Sequence, residues 1–521
     1  MDSLLVCILH QKNQFLKKKK AKSSMLNNLK YLVLLCLGLS INLVHGQEQI
    51  SVTSIDEIVE PADSVQIFAL EDYVKIILAN HPVVKQADLM PENARQEIRL
   101  AKGAFDPKLT SNWDVKNYKD TEYYDIFNTT LKVPLWFPID PKISVDRNRG
   151  YYLNPERNIS EDEDFRQVTA GVSLPVGRGL FIDQRRAAVQ QAELFAQITE
   201  AERIKMINKV LLSAVKAYWD WYYNYFEFRF VDQSLTISEE IYRRVKLDFE
   251  FGEVAAVDTV QAAITFQNRS ADRQAALIGF KRAGLVLSNY LWGENEEPLE
   301  IQDNVAPIWD VAFQQPAEQL DSLMLFAVEN HPELQKYSLK LEQLGVDERL
   351  AKENLKPRVD LNYNLINSPI NYNGEFSDID LGNNYKFGLE VEFPLFLRKE
   401  RAKLKQTRIK IDQTGLESRF VQQEIVNEIE GAYFEMVNGQ QMLSFLETSV
   451  SNYQRLLEAE LLNLTLGESD LFKINFQQDK LLEARIKLIK QQVSIEKAKL
   501  ELLWAAGKPY LDFNYTPANQ N

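Results

Sequence analysis

Two Asn-His-Pro tripeptides, at Asn80–Pro82 and Asn330–Pro332, hold the side chains of this chain best suited to chemistry. Imidazoles at equivalent positions can share a metal ion, because a neutral ring nitrogen offers a lone pair near neutral pH, or they can be the footprint of a duplicated fold. The other two histidines, His10 and His45, and both cysteines, Cys7 and Cys36, fall within the first 46 residues. Beyond that segment no thiol is left to bind zinc or act as a nucleophile. The sequence contains no phosphate-binding loop, no G-x-S-x-G and no H-E-x-x-H. Carboxylates are plentiful but lie on long polar faces, where solvation accounts for them. The expectation is therefore no catalytic residue, no metal, no cofactor and no enzyme activity.

What positions the two histidines is more informative than the rings themselves. Proline suits the first position of a helix, where its missing N–H has no partner to lose, and it pushes the preceding residue toward extended backbone. Each Asn-His-Pro thus reads as the end of one helix, about Val65 to Ala79 or Leu320 to Glu329, and the start of the next. The two copies lie 250 residues apart, as do Pro107 and Pro357 in "AKGAFDPKL" and "AKENLKPRV". The offset then drops to 215 and holds for Phe181 and Phe396, Ala217-Tyr218 and Ala432-Tyr433, and Gly252-Glu253 and Gly467-Glu468. A collinear series with one change of offset marks a duplication. The change gives the first half 35 extra residues between Pro107 and Phe181.

Each half has the same order of elements. After the conserved-offset prolines the apolar period becomes two, as in Val359, Leu361, Tyr363 and Leu365, and in Phe387, Leu389, Val391 and Phe393. Strands are expected near 108–118, 165–175, 358–367 and 385–395, each of about ten residues with one apolar face, the length that crosses a bilayer in a barrel. A half-buried soluble sheet has the same alternation. From Asp183 to Glu250 run 68 residues without proline or glycine, and from Arg398 to Leu466 run 69 without proline. At ~1.5 Å per residue each helix would span roughly 100 Å. Both reach a Gly-Glu turn and return, predicting helical hairpins over 183–293 and 398–505. The aromatic run Trp219–Phe230 is expected to pack in a core, beneath structure that includes the Asn295–Leu320 link. Between Tyr118 and Phe165 a long extracellular loop is the expectation; extra strands over Thr130–Phe137 and Lys142–Tyr152 are the alternative.

The first 46 residues read as a signal peptide, with Lys17–Lys20, Lys22 and Lys30 ahead of an apolar run; Met25 is a possible true start. That segment holds seven lysines and one aspartate, so its removal would take the formal charge from −14 to −20. Such an acidic chain is not a general nucleic-acid binder. The remaining boundaries are a linker at 47–63, a first repeat at 64–294, a link at 295–319, a second repeat at 320–507 and a tail at 508–521.

The order of these pieces, repeated twice, resembles the TolC family of outer-membrane efflux proteins. The resemblance runs from about Ser64 to Lys508. It rests on the two helix starts, on "VSLPVGRGLFIDQRRA" and "VEFPLFLRKERA" between strand and helix, and on the hairpin tips "FGEVAAVDTVQAA" and "LGESDLFKINFQ". It implies a mostly α fold with a membrane β-barrel part. As a homotrimer, each protomer would give four strands to a twelve-stranded barrel in the outer membrane, above a long periplasmic α-helical barrel. It also implies an exit duct for efflux or type I secretion, with a periplasmic adaptor (membrane fusion) protein, an inner-membrane RND or ABC-type pump and outer-membrane lipid as partners. The tips would form the periplasmic gate and adaptor contact, with Gly252, Glu253, Asp258, Gly467, Glu468, Asp470 and Lys473 as candidates. Lys473 stands where relatives can carry an acid. The alternatives are a periplasmic adaptor, which would have one hairpin, and a coiled-coil scaffold, which leaves the strands unexplained.

Overall fold

The computed structural model describes residues 66–152, 165–302, 304–308, 319–366 and 384–508. The expected leader, the linker at 47–63 and the tail from 509 onward lie outside the described residues. The first repeat runs β1 (Gln66–Ile67), α1 (Leu70–Asn80), α2 (Pro82–Lys102), β2 (Lys108–Tyr118), β3 (Thr121–Lys132), β4 (Asp140–Arg149), β5 (Phe165–Pro175), α3 (Gln184–Glu250) and α4 (Ala256–Ser288). The link contributes β6 (Val305–Ala306). The second repeat runs α5 (Leu320–Asn330), α6 (Pro332–Glu353), β7 (Arg358–Ile366), β8 (Tyr385–Glu392), α7 (Arg398–Thr465) and α8 (Leu471–Ala505).

The helices stand side by side in four columns. α2 and α4 lie along successive parts of α3, tied by Arg203 to Asp88 at 3.0 Å and by Arg273 to Asp232. On the other flank α6 and α8 follow one another along α3, through Lys336 to Glu202 at 2.8 Å and Lys497 to Asp220. α7 closes the row against α6 and α8, with Arg408 to Glu348 at 2.9 Å and Ser494 to Glu435 at 3.3 Å. Surface ion pairs of this kind fix register more than they stabilise.

The row holds two large buried cores, one of them aromatic and at its equator. Trp219, Trp221, Tyr222, Phe226 and Phe230 are all buried, in one cluster with Tyr73, Ile77, Leu287, Leu291, Ala306 and Ile489. The polar tips of the buried tyrosines find partners: Tyr218 donates to the Phe68 carbonyl at 2.8 Å and Tyr73 to that of Leu287 at 3.3 Å. β1 pairs in parallel with β6, so the N-terminal segment and the link between repeats are joined over this cluster. The aromatic run is core, as its helical spacing predicts.

All the long strands form one antiparallel sheet in the order β2-β3-β4-β5-β7-β8. The four expected strands are β2, β5, β7 and β8, and their bounds agree closely with the alternation. The expected loop is corrected in favour of its alternative: β3 and β4 are strands, so among the described residues the sheet has six strands and not four. The reason for the miss is visible in β3. Asp125 sits among apolar neighbours on one face, where it accepts from Trp113 Nε1 at 2.8 Å and from Arg149 at 3.2 Å. Tyr124 and Ile126 lie on the other face, so the binary pattern is scrambled by a satisfied polar cluster. The β2–β3 turn holds Lys119 and Asp120 at φ 51° and 54°, the positive pair of a type I′ turn without its usual Asn-Gly.

Candidate functional site

Both histidines are occupied as helix caps. His81 and His331 have extended backbone, at φ −63° and −65°, and each offers Nδ1 to the backbone N–H two residues on, Val83 and Glu333, at 3.2 Å. An accepting Nδ1 requires the neutral ring with its proton on Nε2. Burial lowers the pKa of both, and for His331 burial together with the Lys205 ammonium brings it down to about 4. Protonation would place a hydrogen where the cap must accept. His331 therefore contributes stability that is complete above its ordinary pKa near 6.5 and is lost as pH falls through the folded value. His331→Asn keeps an acceptor but does not titrate. Between about pH 7 and pH 4.5 the wild-type protein is expected to lose about 1–2 kcal/mol more than this variant, a figure discounted for partial exposure. Melting of both proteins across that range measures the difference.

Of the sequence-predicted tip residues, Glu253, Asp258, Gly467 and Asp470 line one cleft, while Gly252, Glu468 and Lys473 lie in the tips outside its lining. The turn after α3 and the turn after α7 border one cleft of about 490 Å³, lined by Arg244, Asp248, Glu253, Asp258, Gly467, Ser469 and Asp470 among others. Each long helix ends in the same way. Gly252 and Gly467 have φ +77° with no atom within 4 Å of where a Cβ would stand, so backbone sign and not space selects glycine. Gly252 and Glu253 donate to the Phe249 and Asp248 carbonyls, both at 2.9 Å; Gly467 and Glu468 donate to Leu464 and Asn463 at 3.1 and 2.9 Å. This is the paired hydrogen bonding of a Schellman stop.

The returning helices start differently. Asp258, in the first turn of α4, reaches back to the Ala255 N–H at 3.2 Å. Asp470 caps α8 from one residue before it, accepting from Lys473 N–H at 2.9 Å, and the Lys473 ammonium approaches its carboxylate at 3.8 Å. At the 215-residue offset Asp258 matches Lys473, and Asp470 matches Ala255. The two tips have exchanged the position of their capping acid. Arg244 and Asp248 were not among the expected residues. Asp248 lies one helical turn before Gly252, which would have placed it beside the tip.

The cleft can hold cations or a basic partner segment: Asp248, Glu253, Asp258 and Asp470 outnumber Arg244 along its lining. No group of acids and histidines among the described residues is arranged to hold a metal ion.

Comparison with known proteins agrees with this architecture. Residues 326–508 match the family model described as outer membrane efflux protein. No curated protein sequence matches the chain. The open state of the Neisseria gonorrhoeae MtrE outer membrane channel is similar over 90% of this chain and 96% of its own, at 15% identity and TM-score 0.60. The Campylobacter jejuni CmeC outer membrane channel is similar over 88% and 91%, at 13% identity and TM-score 0.58. The outer membrane protein VceC of Vibrio cholerae is similar over 85% and 97%, at 15% identity and TM-score 0.58. These channels share the overall fold of this chain, so it has a TolC-like fold, and its residues 326–508 resemble the outer membrane efflux protein family.

Proposed function

We propose that three copies of this chain form the exit duct of a tripartite efflux or type I secretion system. The barrel would lie in the outer membrane and the helical columns would cross the periplasm. The observation that carries this reading is the sheet. It presents a broad exposed apolar face, with Trp113 71% and Leu389 58% exposed, and it ends in two unpaired edges. Open edges are costly in lipid, and closure with further copies removes them. The fold is that of outer-membrane channels, which are conduits and not catalysts. An adaptor or scaffold role fits less well, because neither calls for a lipid-facing sheet.

The acidic tips are read as the periplasmic gate and the contact for an adaptor protein, through Gly252, Glu253, Asp258, Gly467, Glu468, Asp470 and Lys473. An inner-membrane pump would supply the energy. The test is to recover the protein from outer-membrane fractions, weigh the native assembly and record conductance in a planar bilayer. Three chains with discrete channel steps are expected. A soluble monomer without conductance would sink the reading.

A further inference from the structure

The extra hairpin continues the membrane wall row by row. Across the sheet, Leu109 faces Leu131, Leu131 faces Ile143, and Ile143 faces Ala170. Ala170 faces Leu365, which faces Tyr385. Farther from the helices Trp113 faces Phe127, which faces Arg147, whose guanidinium lies 3.5 Å from Asp125 on the same face, so the apolar wall gives way to an ion pair toward the outer end; nearer the helices another apolar row joins Val172, Tyr363 and Phe387. Leu109, Trp113, Phe127, Leu131, Ile143 and Val145 of β2–β4 are exposed, as are Val172, Tyr363, Phe387 and Leu389 of β5–β8. A hairpin packed inside a pore would bury that face against the wall. The opposite face carries Thr110, Thr130, Ser144, Thr169 and Lys386.

The hairpin is also held at its lower end. Trp136, in its turn, lies tilted against Phe105 at 5.3 Å between ring centres. Asp140, at the start of β4, binds Lys132 at 3.1 Å and Arg185 in the first turn of α3 at 3.1 Å. The added strands are thus fastened to the junction of sheet and helices.

We propose that β3 and β4 are wall strands, so that three copies, each with six strands, close a barrel of eighteen. This rests on the three-copy reading above. β2 is exposed along its whole length and β8 at all but one position, as edges awaiting a partner. With six strands per copy, β2 runs opposite to β8, so β2 of one copy pairs antiparallel with β8 of the next. Eighteen strands spaced about 4.8 Å and tilted about 40° give a circumference of about 110 Å. Four helical columns from each of three copies, about 9 Å apart, give a tunnel of about the same circumference. Twelve strands would give only about 75 Å at that tilt. The barrel is therefore as wide as the tunnel, the membrane section imposes no constriction, and the size limit on cargo falls to the hairpin tips.

The described residues contain no cysteine, so single labels can be introduced cleanly. Nitroxides at Lys386→Cys in the barrel and Glu417→Cys in the tunnel, in separate full-length assemblies, report distances between equivalent sites of the copies. Those distances scale with radius. An eighteen-stranded wall gives a barrel-to-tunnel ratio of about one, and a twelve-stranded wall about two-thirds. Excising Lys119–Gly150 leaves β2 and β5 antiparallel with matching faces, and should shrink the Lys386 distance by about a third. A ratio near two-thirds in the intact trimer overturns the proposal, whether or not the excised chain assembles. Native mass on the same samples separates the two readings: a mass other than three chains overturns the trimer, and this inference with it.

Discussion

Phe226→Ala is expected to cost the helical row about 3–5 kcal/mol, the usual range for deleting a buried aromatic ring. Phe226 is 1% exposed. Its ring lies 4.8 Å from Tyr222 and 5.0 Å from Tyr225. The site has little room to collapse, because large rings surround it on one helix and Leu287 and Ile489 belong to the same cluster from others. Phe226→Leu should cost less, about 1.5 kcal/mol, since it preserves most of the apolar volume. The loss should be local. Hydrogen exchange should accelerate in α1, α3, α4 and α8 near the equator, while the sheet keeps its protection. A loss below about 1 kcal/mol for the alanine variant would mean that the cluster is not the fastening of the row.

The second large effect is electrical. Removing the charges of Asp258 and Asp470 should weaken block of the proposed channel by divalent cations by at least about tenfold, because a three-copy assembly would then lose six carboxylates from its tips. Asparagine and alanine separate the two duties of these side chains. Asparagine keeps an oxygen for the Ala255 or Lys473 N–H and removes only the charge. Alanine removes the cap as well, at about 1 kcal/mol for each helix start. Equal loss of block in both variants, with lower stability in the alanine protein alone, is the expected pattern. Lys473→Ala should act in the opposite direction and tighten block, since its ammonium lies 3.8 Å from the Asp470 carboxylate. Unchanged block in every variant would remove these residues from the gate. Higher ionic strength should reduce the differences.

Most of this architecture was legible because the chain states it twice. β8 was readable from clean alternation, with Tyr385, Phe387, Leu389 and Val391 set against Lys386, Gly388 and Glu390. The long helices were readable from the missing prolines and the Gly-Glu stops. The β3–β4 hairpin was legible only as the alternative to a loop, with its first strand placed too late, although the change of offset had located its residues. There was no second copy to compare, and Asp125 breaks the apolar face for a reason found only across the sheet, in Trp113 and Arg149. The tip acids can be singled out one by one as candidates in the sequence, but not their exchange of position. That requires knowing which backbone N–H each carboxylate meets. Arg244 escaped because it enters the cleft from a preceding turn, through helical geometry and without any motif.

The hairpin also shows how a duct of this kind can change its bore. In each half the strands leave from a helix and return to a helix on the same side of the membrane. A single added strand would deliver α3 to the wrong side of the lipid, so new wall must enter as an up-and-down pair. In the proposed trimer, threefold symmetry would triple every such pair. The circumference would then be quantised: it would change by six strands at a time, and one insertion of about 35 residues in a single gene would move the whole assembly by one step.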